Sequence, residues 1–361
     1  MRLADFTRIA PAVEVRAVDG LASAIDRVAE GAPASHRFLR YGWFAAALGA
    51  YGGHARTLVV TREGVPQIAL PMVRQGPAAL GLAAVAGSYW PFRGFAARAG
   101  ADGEAFDALV RALAGEVRVL RWGPVYDDDP VLRATLAAAR ARGWAVLDRW
   151  VAWGYRLDLA ELAAAGPYPR LSTLKKNRFH EKHLAADGPL AWRFIAGTQV
   201  TDALLGELAG IEARSWVGRR TDGRDAKFTR AGHGDFWRRA AADPDVAALM
   251  RVALLEIGGR PMAFAFELDG GPMRWAIANG YDPAVAKHSP GKLLSYRSLA
   301  AAQAKGVRVV DWGAGDSGYK ETMGAQPVVG MRDYLLVRPG LPALAARALA
   351  GGWRRSGQPV V

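Results

Sequence analysis

The polar residues best suited to chemistry stand in and just after the segment Val307–Asp316, an apolar run that turns into a glycine-containing loop. Asp311 follows the apolar run, and Tyr319 and Lys320 follow the loop. A carboxylate at the end of a strand is a candidate base or amine anchor, and a phenol that is protonated at neutral pH is a candidate acid. Lys320 is suited to holding a phosphate or polarising a carbonyl. For Asp311, a loop cap or an ion pair with an arginine is an equal alternative.

A second candidate site is a helix start whose first residue is Pro290. Proline at this position sacrifices no backbone donor, and Gly291 lets a ligand approach the backbone closely. From the tripeptide alone, an ordinary helix start is the better interpretation, but its place after a third strand favours an anion site. The backbone N–H groups and charges of this site belong to Lys287, Ser289, Gly291, Lys292 and Leu293.

Other candidates are carboxylates and aromatic side chains. Glu212 and Trp216 lie on one predicted helix, and Glu212 is the preferred carboxylate for binding an amine. Glu267 stands in an apolar strand, where a charge is costly unless it is paired, although the local alternation equally allows it to face solvent. The aromatic segment around Tyr89 and Trp90 suits stacking on a sugar or an acyl chain, and core packing explains it equally well.

The strongest basic cluster is the run Lys175–His183. On a helix, Lys175, Arg178 and Lys182 share one face, which suits tRNA, a nucleotide sugar or a coenzyme phosphate. A solvated helix face has the same pattern, and no nucleic-acid-binding motif accompanies it. No lysine precedes Lys175, so lysine charge is concentrated in the second half of the chain.

Composition limits the class of protein. A chain of 361 residues suits two domains, and its formal charge of +13 favours an acidic partner such as a phosphate, a nucleic acid or an anionic lipid. The absence of cysteine excludes disulfides, thiolate metal sites and a cysteine nucleophile. The histidines show no ligand spacing, so we expect no metal. Neither a membrane-spanning run nor a signal peptide is apparent, which predicts a cytoplasmic protein.

The segment Val117–Gly123 is a near copy of Val307–Gly313, because both are apolar, rich in β-branched residues and end in Trp-Gly. Each follows a stretch with helical spacing, which indicates one folding unit used twice. Periodicity and turn signals predict the order β-α-α-β-β-β-α-β-α-β in each half. We therefore predict two tandem α/β domains, residues 1–158 and 159–338, each with a mixed central sheet flanked by helices. The amphipathic tail, residues 339–361, is expected to pack against the body, with membrane contact as the less favoured alternative.

This element order, with Tyr281-Asp282-Pro283, Ser289–Leu294 and Gly315–Lys320, resembles the GNAT acyltransferase fold. Two such domains in tandem are similar to the FemAB/CelD-like group, which includes aminoacyl-tRNA-dependent peptide ligases and acetyltransferases encoded with polysaccharide genes. The resemblance implies an acyl-CoA such as acetyl-CoA, bound by the second half, with its pyrophosphate at Ser289–Leu293 and with Tyr319 protonating the leaving thiolate. It implies an acceptor in the cleft between the halves, near Tyr89, Trp90, Trp216, Glu267 and Tyr281.

The implied function is transfer of an acyl group from acyl-CoA to an amine of an amino sugar or cell-envelope precursor, without a metal. Two alternatives stay open: an aminoacyl-tRNA-dependent ligase, with tRNA as its partner, and a non-catalytic factor in polysaccharide assembly. GNAT phosphate loops usually begin with Gln or Arg and end with Gly or Ala, where this chain has His288 and Leu293. That departure favours the non-catalytic alternative.

Overall fold

The computed structural model describes residues 13–220, 226–316 and 318–357. The first half contains β1 (Val13–Asp19), α1 (Ala24–Glu30), α2 (Tyr41–Tyr51), β2 (Ala55–Arg62), β3 (Val65–Arg74), β4 (Leu82–Val85), β5 (Ala96–Ala97), α3 (Gly103–Glu116), β6 (Val119–Tyr126), α4 (Pro130–Ala141) and β7 (Ala145–Asp158). The second half contains α5 (Leu159–Ala165), α6 (Leu171–Leu184), β8 (Leu190–Ala196), α7 (Asp202–Arg214), α8 (Trp216–Arg220), α9 (His233–Ala242), α10 (Pro244–Ala247), β9 (Met250–Ile257), β10 (Arg260–Gly270), β11 (Met273–Tyr281), α11 (Pro290–Ala304), β12 (Val309–Ala314), β13 (Gln326–Val337) and α12 (Leu341–Arg355).

The described strands form one mixed sheet in the order β1-β2-β3-β4-β6-β13-β7-β12-β11-β10-β9-β8, and β5 pairs with β3. Two neighbouring pairs are parallel, β4 with β6 and β11 with β12, and the other pairs are antiparallel. A helix connects each parallel pair, α3 in the first half and α11 in the second. Both halves are therefore built on the mixed sheet and flanking helices that the sequence predicts.

The repeat predicted from the two Trp-Gly segments is confirmed by strand register. Val119 lies opposite Leu82 in the first half, and Val309 lies opposite Met273 in the second. Counting three residues onward from each valine places Trp122 and Trp312 at equivalent positions of equivalent strands. Each half thus contains the same three-residue parallel pairing, followed by a tryptophan at the same position.

The last strand of each half joins the sheet of the other half. β7 pairs with β12, so that Arg156 lies opposite Asp311. β13 pairs with β6, so that Leu335 lies opposite Arg121. β7 and β13 also pair with each other, from Gln326 to Val337 on β13. The division of the chain at residue 158 stays a prediction, but the hydrogen-bonded sheet crosses it.

Several elements are shorter than their sequence patterns predict. Of the weak strand predicted at 78–87, only β4 is extended, and Ala78–Leu80 forms a single 3-10 turn. The helix predicted from 201 to 217 breaks at Ser215, whose hydroxyl donates to the Glu212 carbonyl and accepts the Val217 N–H. The short helix predicted at Tyr319–Met323 is one 3-10 turn, Glu321–Met323. At Ser215, these side-chain contacts end a pattern that is helical by periodicity alone.

One aromatic core runs through both halves. Trp43 of α2 packs edge-on against Phe236 and Trp237 of α9, with ring centroids 4.8 and 5.8 Å apart. Below them, Phe92 of the first half lies 5.4 Å from Trp275 of β11. These rings are buried, so the halves share a core as well as a sheet. In the described part of the chain, no helix has both the length and the apolarity to cross a bilayer.

We expect Leu336→Ala to destabilise the whole molecule. Leu336 belongs to the second half by sequence, but it is fully buried between Leu120 of β6 and Val146 of β7. Its truncation should lower the free energy of unfolding by about 2–5 kcal/mol, as measured by urea denaturation. Leu80→Ala, at a half-exposed position, is the control and should change it by about 0.5 kcal/mol or less. Separate transitions of tryptophan fluorescence and circular dichroism would contradict a shared sheet.

Candidate active site

The candidate site is a cavity of about 280 Å³ where β11 and β12 separate. These parallel strands pair only from Met273 to Trp275, opposite Val309–Asp311, and both then continue apart. The cavity is lined by Ala276–Asn279 of β11 and by residues 311–316 around the end of β12. Of the residues predicted from the sequence, it brings together Tyr89, Trp90, Glu212, Trp216, Asp311, Tyr319 and Lys320.

The corresponding gap in the first half is filled by protein. There the loop after β4 packs beside β6, and Phe95 lies 4.8 Å from Trp122 by ring centroids. Phe92 of the same loop lies 5.9 Å from Tyr126, and both phenylalanines are buried. The second half therefore keeps open a space that aromatic side chains occupy in the first.

The same first-half loop also forms one wall of the open cavity. Tyr89 is partly exposed there, and Trp90 packs edge-on against His233 of α9 at 4.9 Å. The ammonium of Lys227 lies 4.6 Å from the centre of the Trp90 ring. Aromatic faces from the first half thus meet a cation from the second, which suits a polar ligand with an apolar face.

Tyr319 lies beside the cavity with a defined partner. Its hydroxyl oxygen accepts a hydrogen bond from the side-chain amide of Asn279, with 2.7 Å between the two atoms. Because Asn279 is the donor, the phenol proton stays available to another acceptor. Burial raises the pKa of Tyr319 to about 12, so the group holds its proton at neutral pH. Asn279 was not singled out from the sequence; an amide among the apolar residues of β11 was the available signal.

Lys320 binds the backbone of its own loop. Its Nζ donates to the carbonyl oxygens of Trp312 at 2.7 Å, Gly313 at 3.3 Å and Ala314 at 3.1 Å, and also to that of Gly315. Burial lowers the pKa of Lys320 to about 8, while Asp311 and Asp316 oppose that shift. The side chain holds the cavity wall in place. The phosphate contact proposed for it from the sequence competes with these four carbonyls.

Asp311 sits at the bottom of the cavity and is about 1 % exposed. Its carboxylate accepts from Tyr126 Oη at 2.7 Å, from Arg156 Nε at 2.8 Å and from the Gly313 N–H at 2.7 Å. Burial raises the pKa of Asp311, and the Arg156 guanidinium opposes that shift. Arg156 also binds Asp128 at 2.6 Å, so this network joins the two halves beneath the cavity.

Glu212 lines the cavity but its carboxylate faces backbone. It accepts from the N–H groups of Lys227, Phe228 and Thr229 at 2.8–3.0 Å. This arrangement holds the segment that carries Lys227 against α7, since a buried carboxylate is stabilised by such donors. Trp216, on the next turn of chain, is partly exposed at the rim.

Two predicted acceptor residues lie outside the cavity. Glu267 of β10 is buried, and it accepts from Arg274 Nη1 of β11 at 2.7 Å and from Ser298 Oγ of α11 at 2.9 Å. The pairing that a charge in an apolar strand requires is therefore present. Tyr281 packs its ring on Gly291, because a β-carbon at Gly291 would stand 2.9 Å from Tyr281 Cδ1. Tyr281 thus shapes the start of α11.

The start of α11 has one defined distortion. Ser289 has φ +53°, in the left-handed region, and Pro290 follows as the first helical residue. The Leu293 N–H, predicted to be free, donates to the Ser289 carbonyl at 3.1 Å, and its side chain is buried. The N–H groups of Gly291 and Lys292 have no acceptor within the helix, since they precede its first turn of bonds.

The basic helix α6 lies beside this end of α11. The ring of His183 stacks on that of His288 at 5.2 Å, and Arg297 of α11 binds Glu181 at 2.9 Å. Burial and then the charge of Lys176 lower the pKa of His180. Within the described ranges, no group of three or more histidines and carboxylates is arranged to hold a metal ion.

Comparison with known proteins identifies the fold. Residues 172–321 match the family model described as an acetyltransferase (GNAT) domain. No curated protein matches the sequence. Among solved structures, FemX superposes with a TM-score of 0.60 at 12 % identity, covering 93 % of this chain and 100 % of FemX.

Two further structures share the fold over most of both chains. The C-terminal domain of a putative lysylphosphatidylglycerol synthetase from Agrobacterium fabrum has a TM-score of 0.53 at 17 % identity, covering 92 % of this chain and 94 % of its own. A conserved protein of unknown function from Bacteroides thetaiotaomicron VPI-5482 has a TM-score of 0.55 at 14 % identity, covering 90 % and 100 %. Residues 172–321 therefore match a GNAT domain, and the chain shares its fold with FemX.

We expect Lys320→Met to destabilise the protein by about 1–3 kcal/mol, because it leaves buried carbonyls without a donor. The effect should also depend on pH. Since burial lowers the folded pKa of Lys320 to about 8, the unfolded chain binds more protons between pH 8 and about 10.4, and this group's contribution to stability rises there. Urea denaturation should give a wild-type advantage that is constant below pH 7 and larger at pH 10. An advantage that falls between pH 8 and 10 contradicts this.

Proposed function

We propose that this protein belongs to the tandem-GNAT, Fem-like group and is an N-acyltransferase that moves an acyl group from acyl-CoA to an amine. The acceptor we propose is an amino sugar or another cell-envelope precursor in the cytoplasm. The observation that carries the proposal is the open gap between β11 and β12, with Tyr319 beside it. The second half, residues 159–338, would hold the donor, and the first half, residues 1–158, would complete the acceptor side.

The contrast between two equivalent helix starts supports a donor in the second half. α3 begins at Asp102, whose carboxylate accepts the Ala105 N–H, and Glu104 follows in its first turn. Negative charge there opposes a phosphate. α11 begins with Ser289 and Lys292 and has no acid in its first turn. The helix dipole and the N–H groups of Gly291 and Lys292 would therefore bind a pyrophosphate, with Lys287 adding charge nearby.

Direct transfer fits the groups around the cavity. The amine nitrogen would form a bond to the acyl carbon, the carbon–sulfur bond would break, and the thiolate would take the proton of Tyr319. Asn279 would then stabilise the phenolate, because it already donates to that oxygen. The proton lost by the amine would pass to water or to Asp311, whose carboxylate oxygens also accept hydrogen bonds from Tyr126 and Arg156. With no cysteine in the chain, a cysteine acyl-enzyme is excluded.

The acceptor wall has the chemistry of a sugar-binding surface. Tyr89 and Trp216 are exposed at the rim, Trp90 lies next to Tyr89 and to the Lys227 ammonium, and all four residues line the cavity. Aromatic faces stack on the apolar face of a pyranose, and a nearby cation suits an acidic or phosphorylated precursor. Glu267 and Tyr281 would act indirectly. Glu267 would hold α11 through Ser298, and Tyr281 would shape the start of α11 through its contact with Gly291.

One observation favours an aminoacyl-tRNA donor instead. Lys175, Arg178 and Phe179 are exposed on α6, which lies beside the start of α11. A basic surface that carries an exposed aromatic ring suits a nucleic acid backbone and a stacked base. This is the second candidate function, and it differs from the first in its donor.

Titration calorimetry with acetyl-CoA and a gel shift with charged tRNA separate the two donors. We expect acetyl-CoA to bind, and we expect the mobility of charged tRNA to stay unchanged when the protein is added. A thiol-release assay with acetyl-CoA and a panel of amino sugars and amines then identifies the acceptor. If the protein binds tRNA but not acetyl-CoA, it is an aminoacyl-tRNA-dependent ligase and the acyl-CoA proposal is wrong. If it binds neither, a non-catalytic factor is favoured.

We expect Lys292→Glu to weaken acetyl-CoA binding by about 10- to 100-fold, because it places a negative charge at the proposed pyrophosphate site. Lys305→Glu makes the same charge change at the other end of α11 and is the matched control. Calorimetric affinity should fall only in the first variant. Equal affinities in the two variants would remove the donor from this helix end. Gly291 is unsuitable for the test, because any side chain there meets the Tyr281 ring.

We expect Tyr319→Phe to lower kcat by about 10²- to 10⁴-fold, since it keeps the ring and removes the acid. Affinity for acetyl-CoA should hold. Tyr155→Phe is the matched control, because the Tyr155 hydroxyl binds Glu321 and does not line the cavity. If kcat is unchanged in Tyr319→Phe when chemistry limits the rate, Tyr319 is a packing residue.

A further inference from the structure

Helix α12 packs on the sheet by one side only. Ala343 is buried, and Ala346, Ala350 and Trp353 pack with it against a cluster that includes Leu147 of β7. The guanidinium of Arg149 lies 4.1 Å from the centre of the Trp353 ring. This side is the packing against the body that the sequence predicts.

The opposite side of α12 is apolar and exposed. Leu341 is 82 % exposed, Leu344 61 % and Leu349 72 %, and these are among the most exposed large apolar side chains described. At 100° per residue, the three leucines fall within an arc of about 140°, with Ala345 and Ala348 between them. An exposed apolar stripe on a packed helix marks an interaction surface.

The charge around this stripe has one sign. Arg347, Arg354 and Arg355 lie on α12, Arg338 precedes it, and residues 334–361 contain no aspartate or glutamate. The arginines 347, 354 and 355 are exposed. A helix with leucines on one face, arginines beside them and no acid has the composition of helices that lie in the interface of anionic membranes.

We propose that α12 docks this protein on the surface of an anionic phospholipid bilayer. The helix would lie parallel to the surface, with Leu341, Leu344 and Leu349 inserted among the acyl chains and with Arg347, Arg354 and Arg355 at the lipid phosphates. Its 15 residues span about 22 Å, less than a bilayer core requires. The proposal is independent of the acyl transfer reaction.

A second copy of the chain fits this face less well. A two-fold contact brings the same surface of both partners together. Here it would bring two arginine-bearing, acid-free helices together, and neither would supply a carboxylate to the other's arginines. An anionic lipid surface supplies that missing charge along the whole helix.

The test is co-sedimentation of the full chain with vesicles of phosphatidylcholine, with and without about 30 mol % of the anionic lipid phosphatidylglycerol. We expect binding to the anionic vesicles and little to the neutral ones. Leu341→Ser/Leu344→Ser/Leu349→Ser should lose at least about tenfold in vesicle affinity. Arg347→Gln/Arg354→Gln/Arg355→Gln should lose on the order of 100-fold, at about fivefold per arginine. Leu80→Ser/Leu171→Ser, at exposed leucines elsewhere, is the matched control and should bind like the wild type.

Thermal unfolding of each variant is the control for folding. Because the substituted leucines are exposed, we expect the melting temperature of the leucine variant to stay near that of the wild type. Failure of the wild type to bind anionic vesicles overturns the proposal, as does undiminished binding of the leucine variant. Sedimentation velocity without lipid provides the remaining outcome. If the wild type is a dimer that the leucine variant dissociates, a second copy covers this face and the membrane proposal is wrong.

Discussion

Strands β7 and β13 pair with each other at the centre of the sheet, and each pairs on its other side with a strand of the opposite half. The position of the cavity depends on this arrangement. β7 carries Arg156, which binds Asp311 at the cavity floor and Asp128 of the first half at once. Because β12 stays paired with β7 while its pairing with β11 ends at Asp311, the gap opens between β11 and β12.

The two halves show how one framework acquires different roles through side-chain volume and charge. At the end of the parallel pairing, Phe92 and Phe95 fill the first half, while the second half has alanines 276 and 278 and stays open. At the helix that follows, the Asp102 carboxylate caps the first turn in the first half, and the second half has no such acid. The ion pairs at the equivalent strands are reversed in sign as well, with Arg121 bound to Asp333 and Asp311 bound to Arg156.

The features that depend on local periodicity were predictable from the sequence. The paired Trp-Gly strands, the α11 start at Pro290 and the order of elements all follow from patterns within a few residues. The exchange of β7 and β13 was not, because strand partners far apart in the chain leave no local pattern. For the same reason, the sequence did not identify Tyr126 and Arg156 as the partners of Asp311, although an ion pair with an arginine was among the roles considered for Asp311. The Lys320 contacts had no sequence signal at all, since every residue type offers the same carbonyl acceptor.

The strand exchange also bears on how the chain is made. When a ribosome has completed β7, the strand that belongs beside β6 has not yet been translated, and β7 itself has no β12 to join. The nascent first half therefore has one unpaired edge on β6 and two on β7, and those that pair with β13 stay open until residue 337 is made. Exposed edges of this kind are where chains associate wrongly during synthesis. A chain that ends before β13 leaves the upstream sheet unfinished as well, so only the chain through β13 completes the sheet of the first half.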